Sequence, residues 1–164
     1  MITVSAFRWV PTFARGLVRD LRVRWALEEA GLPYEAWLIG PDDQKSERYR
    51  AMQPFGQVPA YEEDDLVLFE SGAILLHIAD RSEVLMPSDS KARARVTAWM
   101  FAALIRSNRT FRTSRRSTCF MPRRIGQKNA GQRLSNSHKR VWPRSPIGSI
   151  VATIWRIVSP WRTF

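Results

Sequence analysis

Acidic residues are missing from the second half of this 164-residue chain. All 15 Asp and Glu lie at or before Asp89, accompanied by nine Lys and Arg, whereas residues 90–164 hold the other 17 basic residues and no acid. The net charge of +11 and the pI near 11.1 therefore belong to the second half, and the first half is net acidic. Cysteine is nearly absent as well: Cys119 stands alone, which excludes an internal disulfide and fits a reducing, cytoplasmic compartment. The opening "MITVSAFRW" has neither the basic start nor the apolar stretch of a secretion signal. Long apolar runs are lacking too. The best late segment, "IGSIVATIWRIVSPW", is interrupted by Arg156 and Pro160 short of the roughly 20 residues a membrane helix needs, so no membrane span is expected.

What is present is periodic as far as residue 104. "ITVSAF" reads as a strand, and after Pro11 "GLVRDLRVRWALEEAG" carries apolar residues at helical spacing until Gly31 and Pro33 stop it. "YEAWLI" is a second strand and "DDQKSERYRAMQP" a polar, imperfect helix ending before Pro54. "QVPAYEEDDLVLFE" reads as two short strands around an acidic turn, and "SGAILLHIADRS" as a helix with Ser71 as its N-cap. The order β-α-β-α-β-β-α predicts an α/β domain with its helices against a small mixed sheet. A linker, "LMPSDS", leads to "KARARVTAWMFAALI", where Val96, Met100, Ala103 and Leu104 form a helical stripe. Trp9, Trp25, Trp37 and Trp99 read as core aromatics, and His77 as a packing or hydrogen-bonding residue.

The wording of "QPFGQVPAYEEDDLVLFESGAILLHIADR", together with "VRWALEEAGLPYE", resembles the N-terminal thioredoxin-like domain of the cytosolic glutathione transferases over about residues 2–104. The resemblance implies a domain at 1–84, a linker and the first helix of an all-α second domain at 85–105, and glutathione as co-substrate with no metal. It further implies a cis bond before Pro59, which exposes the backbone N–H and C=O of Val58 to the cysteinyl backbone of glutathione as an added strand would be. Glu70 and Ser71, at a helix start whose free N–H groups suit a carboxylate, would hold the γ-glutamyl end, with Gln57 adding a polar contact. In the intact family the partners would be a small electrophile and a second subunit.

The thiol-activating group is less legible. The reactive species is the thiolate, and the family supplies Ser, Tyr or Cys just after the first strand to stabilise it. "SAFRWVPTFARGLVRD" has extra residues there and none of these three in the expected place. Thr12 is the nearest hydroxyl and the first candidate; Ser5 lies within the strand, and Arg15 or Arg19 would supply positive charge instead.

Beyond residue 104 the local signals stop agreeing. Prolines are scattered, no apolar period lasts two turns, and "IRSNRTFRTSRRSTCFMPRR" reads at first as a nucleic-acid-binding arm on a non-enzymatic module. Trp142, Trp155 and Trp161 are unusual in such an arm. Reading the codons one base out of step, the residues from Leu104 to Gln132 permit "NSVEPYIQNLAEIDLFYAEEDWAKERRPA", which resembles the next helices of bacterial glutathione transferases. "TIWRIVSPWRTF" likewise permits "YLEDRFTVADL", similar to the family's T-x-A-D capping box. Residues 106–164 are therefore expected to be an out-of-frame, poorly folded tail, which argues against nucleic acid as a partner. The stripe Val96 to Leu104 is expected to be left partly exposed without its partner helices.

Overall fold

A computed structural model describes residues 1–119, with side chains through Ile105, together with Ile150 and Thr153. Strand β1 (Ile2–Phe7) is followed by α1 (Asp20–Ala30), β2 (Tyr34–Ile39), α2 (Glu47–Met52), β3 (Ala60–Glu63), β4 (Leu66–Phe69), α3 (Ser71–Ala79) and α4 (Ser90–Cys119). Short 3₁₀ turns at Thr12–Ala14 and Asp43–Lys45 precede α1 and α2. The sheet order is β2-β1-β3-β4, with β1 parallel to β2 and antiparallel to β3. This is the small mixed sheet with packed helices that the element order predicts, in the thioredoxin-like arrangement that the resemblance implies.

The period-2 alternation of β1 divides the core in two. Ile2 and Val4 join Val23, Ala26 and Leu27 of α1 and Ile74, Leu75 and Ile78 of α3 in the main cluster. On the other side of the sheet a smaller cluster holds Ile39, Tyr49 of α2, Val58 and Ala60, with Phe7, Val18 and Trp37 against it. Three helix boundaries have a local cause. Ser46 accepts the Tyr49 N–H at the start of α2, Asp89 accepts the Ala92 N–H before α4, and Gly31 takes φ 66° to close α1.

Four sequence expectations are corrected. First, α1 begins at Asp20, because Gly16 adopts φ 76° and residues 12–14 coil into a 3₁₀ turn. Second, Ser71 is the first helical residue and Glu70 is the N-cap: the Glu70 carbonyl already accepts the Ile74 N–H. Third, Trp9 and Trp25 are 73% and 40% exposed, Trp9 on the β1–α1 connection and Trp25 on the outer face of α1, where its indole N–H donates to Glu29 one turn on. Trp37 and Trp99 are partly buried as expected. Fourth, Val96, Met100 and Ala103 are not left exposed: they are buried in the main cluster with α3, and Ile150 packs there as well.

Helix α4 also runs past residue 105 to Cys119, since no proline or glycine interrupts the sequence before Pro122 and arginine is a good helix former. The tail from residue 120, apart from Ile150 and Thr153, lies outside the described residues. Among the described residues no helix is long and apolar enough to cross a membrane.

The end of β3 is locked to α3 by one carboxylate. Glu63 accepts from the Tyr61 hydroxyl at 2.8 Å, His77 Nε2 at 3.1 Å and Arg81 Nη1 at 2.5 Å. His77 also packs edge-on against Tyr61. The Tyr61 hydroxyl bond, with those of His77 and Arg81, outweighs the partial burial and holds the Glu63 carboxyl down at about 2, against 4.5 for a free one. The ionised form is therefore preferred in the fold. Its stabilisation is complete above about pH 4.5 and is lost as pH falls toward 2. Glu63→Gln is expected to cost about 1–2 kcal/mol at pH 7, and in urea titrations that penalty should shrink as pH falls through this window. A penalty independent of pH would count against the charged lock.

Candidate functional site

The candidate residues gather at one end of the sheet, where β3 begins and both α1 and α3 start. The Val58–Pro59 bond is cis. Val58 is buried, yet among the described residues neither its N–H nor its C=O has a hydrogen-bond partner. Ala60 pairs with Phe69 in the β3–β4 ladder. That pair is the last of the ladder, so Val58 and Pro59 on one strand and Glu70 and Ser71 on the other flank the same end of it. The structure thus places Val58, Pro59, Glu70 and Ser71 at one end of the β3–β4 ladder.

The entry to α3 is unusual in its backbone. Glu70 is exposed and held at φ 69°, ψ 115°, a region costly for a residue with a side chain. Ser71 follows at 4% exposure, and its hydroxyl has no hydrogen-bond partner among the described residues. The positive-φ Glu70, the Ser71 hydroxyl and the N-terminus of the nine-residue helix α3 together offer donors suited to an anion.

Gln57 is exposed and accepts from Arg19 Nη1 at 3.5 Å. Arg19 is the N-cap of α1, has no side-chain capping bond, and follows Val18, which packs on the cluster holding Val58 and Ala60. The start of α1 therefore sits against the Gln57–Ala60 turn. Next along the helix, Asp20 is 4% exposed, its Oδ1 has no hydrogen-bond partner among the described residues, and burial raises its pKa against the opposing pull of Arg24. Arg22 is buried as well, its pKa pushed down to about 10 by burial and by the charge of Arg19.

Thr12 is exposed in the 3₁₀ turn, and no hydrogen bond ties it to Gln57, Val58 or Ser71. Ser5 is committed elsewhere: its Oγ accepts the Ala60 N–H at 2.7 Å and lies 2.8 Å from Tyr49 Oη, which donates to the Gln57 carbonyl at 2.6 Å. Sequence reasoning missed Tyr49 and this contact of Arg19. A tyrosine on a short helix and an arginine before another carry no local signal of where their tips end.

Residues 14–80 match the family model described as the glutathione S-transferase N-terminal domain. A glutathione S-transferase of Hyoscyamus muticus is 40% identical over 86 residues, which cover 49% of this chain and 41% of that protein. The chain spans about two fifths of the length of the first curated relatives it matches. Among solved structures, a glutathione transferase family member from Pseudomonas fluorescens Pf-5, with two glutathione bound, superposes with TM-score 0.63 at 26% identity, covering 94% of this chain and 75% of that one. A theta class glutathione S-transferase from Xanthomonas axonopodis pv. citri gives 0.65 at 23% identity over 92% and 78% of the two chains, which speaks for the fold. Residues 14–80 are thus similar in sequence to the glutathione S-transferase N-terminal domain, and the fold around them is the one found in solved structures of those transferases.

Proposed function

We propose that this domain binds glutathione and, in the full-length family protein, presents its thiolate to the electrophilic carbon of a small apolar molecule. The observation that carries the reading is the pairing of two unsatisfied polar surfaces at one end of the sheet. The Val58 backbone groups can take the cysteinyl N–H and C=O in an added-strand manner, and the Ser71 hydroxyl with the α3 N–H groups can take the γ-glutamyl carboxylate. The exposed Glu70 carboxylate would face the γ-glutamyl ammonium, and the Gln57 side chain would add a contact to the tripeptide. The relative from Pseudomonas fluorescens, with two glutathione bound, supports the ligand class.

For the thiol, Thr12 was the candidate in the sequence, but the contact between Arg19 and Gln57 favours Arg19. A guanidinium is always charged and lowers the pKa of a neighbouring thiol by favouring its anion. The thiolate then forms the new C–S bond, and the displaced group or the added proton completes the exchange. A homodimer and a cytoplasmic setting belong to the same proposal.

We further infer that the basic tail is a shifted reading frame. Relatives from rice and maize align over 80 and 103 residues, in keeping with a break near codon 104, and the permitted strings in the neighbouring frame resemble the missing helices. On this reading the tail arginines are not a nucleic-acid arm.

Three outcomes follow. Ser71→Ala is expected to weaken retention on immobilised glutathione about tenfold or more, as loss of a hydrogen bond to a charged group does; unchanged retention would remove Ser71 from the site. Arg19→Gln is expected to raise the pKa of bound glutathione, followed by its ultraviolet thiolate absorption, by about one unit, with Arg19→Lys retaining most of the effect and Thr12→Ala none. The reverse ranking would return the role to Thr12. The nucleotide sequence across codons 95–165 is expected to spell the quoted strings one base out of step, and codons unable to do so would sink the frameshift.

A further inference from the structure

Behind the Gln57–Ala60 turn runs a hydrogen-bond chain in which every proton is assigned. The Gln57 carbonyl can only accept, so Tyr49 Oη, 2.6 Å away, commits its single proton there. The 2.8 Å contact between Ser5 Oγ and Tyr49 Oη must then be donated by Ser5. The Ser5 oxygen in turn accepts the Ala60 N–H at 2.7 Å. The chain runs one way, from the Ala60 amide through Ser5 and Tyr49 to the Gln57 carbonyl.

Its two ends are backbone groups, and they bracket Val58 and Pro59. Both hydroxyl-bearing residues are deep in the molecule, Ser5 at 1% and Tyr49 at 0% exposure. Tyr49 is fixed further by the edge-on Trp37 ring, 5.6 Å between centroids, and by its place in the smaller core cluster. A serine in the middle of a buried strand is a poor choice for packing alone, since an aliphatic side chain would fill the same space without a hydroxyl to satisfy. Here the hydroxyl is satisfied only because it is a link between the two flanks of the turn. On the opposite side of that turn, the Val58 N–H and C=O have no partner among the described residues.

We propose that Ser5 and Tyr49 are positioning residues for glutathione: their hydroxyl chain sets the orientation of the Gln57–Ala60 backbone, so that the Val58 edge is held ready before the ligand arrives. This rests on the reading of Val58 as the edge that pairs with the tripeptide. Pre-ordering that edge removes the cost of ordering it on binding, and its loss appears as weaker affinity. The chain acts as a unit, so cutting it at either hydroxyl has nearly the full effect.

The test is calorimetric titration of glutathione into the full chain, the Ser5→Ala and Tyr49→Phe variants and their double variant. Exchange of the Ala60 amide, followed by NMR or mass spectrometry, runs alongside as a readout that needs no ligand. Each single variant is expected to bind about tenfold more weakly, the double variant no more weakly than the worse single one, and Ala60 to exchange faster in all three. Ile78→Val, a core truncation in the other cluster, is expected to lower the melting temperature without changing affinity. If the hydroxyl variants bind like the parent while Ala60 exchange accelerates, the positioning role is overturned and the glutathione reading survives. Should Ile78→Val weaken binding as much as they do, the effect is general instability and the role is likewise overturned. If the parent chain itself does not bind glutathione, both readings fall together.

Discussion

The structure depends on β1 being buried on both faces. This strand pairs parallel with β2 along its whole length and antiparallel with β3 at its first three residues, so it forms the centre of the four-stranded sheet. Ile2 and Val4 anchor the cluster shared by α1 and α3. Ser5 and Phe7 face the smaller cluster under α2. Because successive side chains of a strand point to opposite faces, one six-residue segment fixes both layers, and a slip of one residue would exchange them.

From that centre the site follows by geometry. Pairing β3 to β1 places the Gln57–Ala60 turn at the sheet end, and pairing β4 to β3 returns the chain to the same end before α3 begins. The start of α1 arrives there as well, brought by Val18 against the smaller cluster and by Arg19 at Gln57. Among the described residues the Val58 backbone groups and the Ser71 hydroxyl have no partner at this end, whereas the far end of β3 is closed by Glu63 with Tyr61, His77 and Arg81. A fold that leaves backbone groups open at one place and satisfies its charges at another is organised around what will fill the opening.

The second half of the chain divides differently. The stripe Val96, Met100 and Ala103 completes the main cluster, so the domain needs the first turns of α4. That need is met by the turns of α4 up to Ala103. Past it the helix continues because nothing in its composition stops it before Pro122, a propensity effect that requires no tertiary partner.

Much of this was legible in the amino-acid order, since strand alternation, helical spacing and proline or glycine punctuation are local rules. They gave the strands at 2–7 and 34–39 as quoted, the helix stripe at 96–104, and the wording around Pro59 and Ser71. Where local rules were ambiguous they erred: a glycine read as part of α1 served a turn before it, and Ser71 entered the helix because Glu70 took the capping position. Trp25 satisfied a helical period but sits on its outer face, since spacing does not say which side of a helix meets the core. Only the tertiary structure could join Ser5 to Tyr49, 44 residues away, or bring Arg19 to Gln57 across 38. Those contacts depend on which strands pair and which faces pack, and the neighbours of a side chain in space are not encoded in its neighbours along the chain.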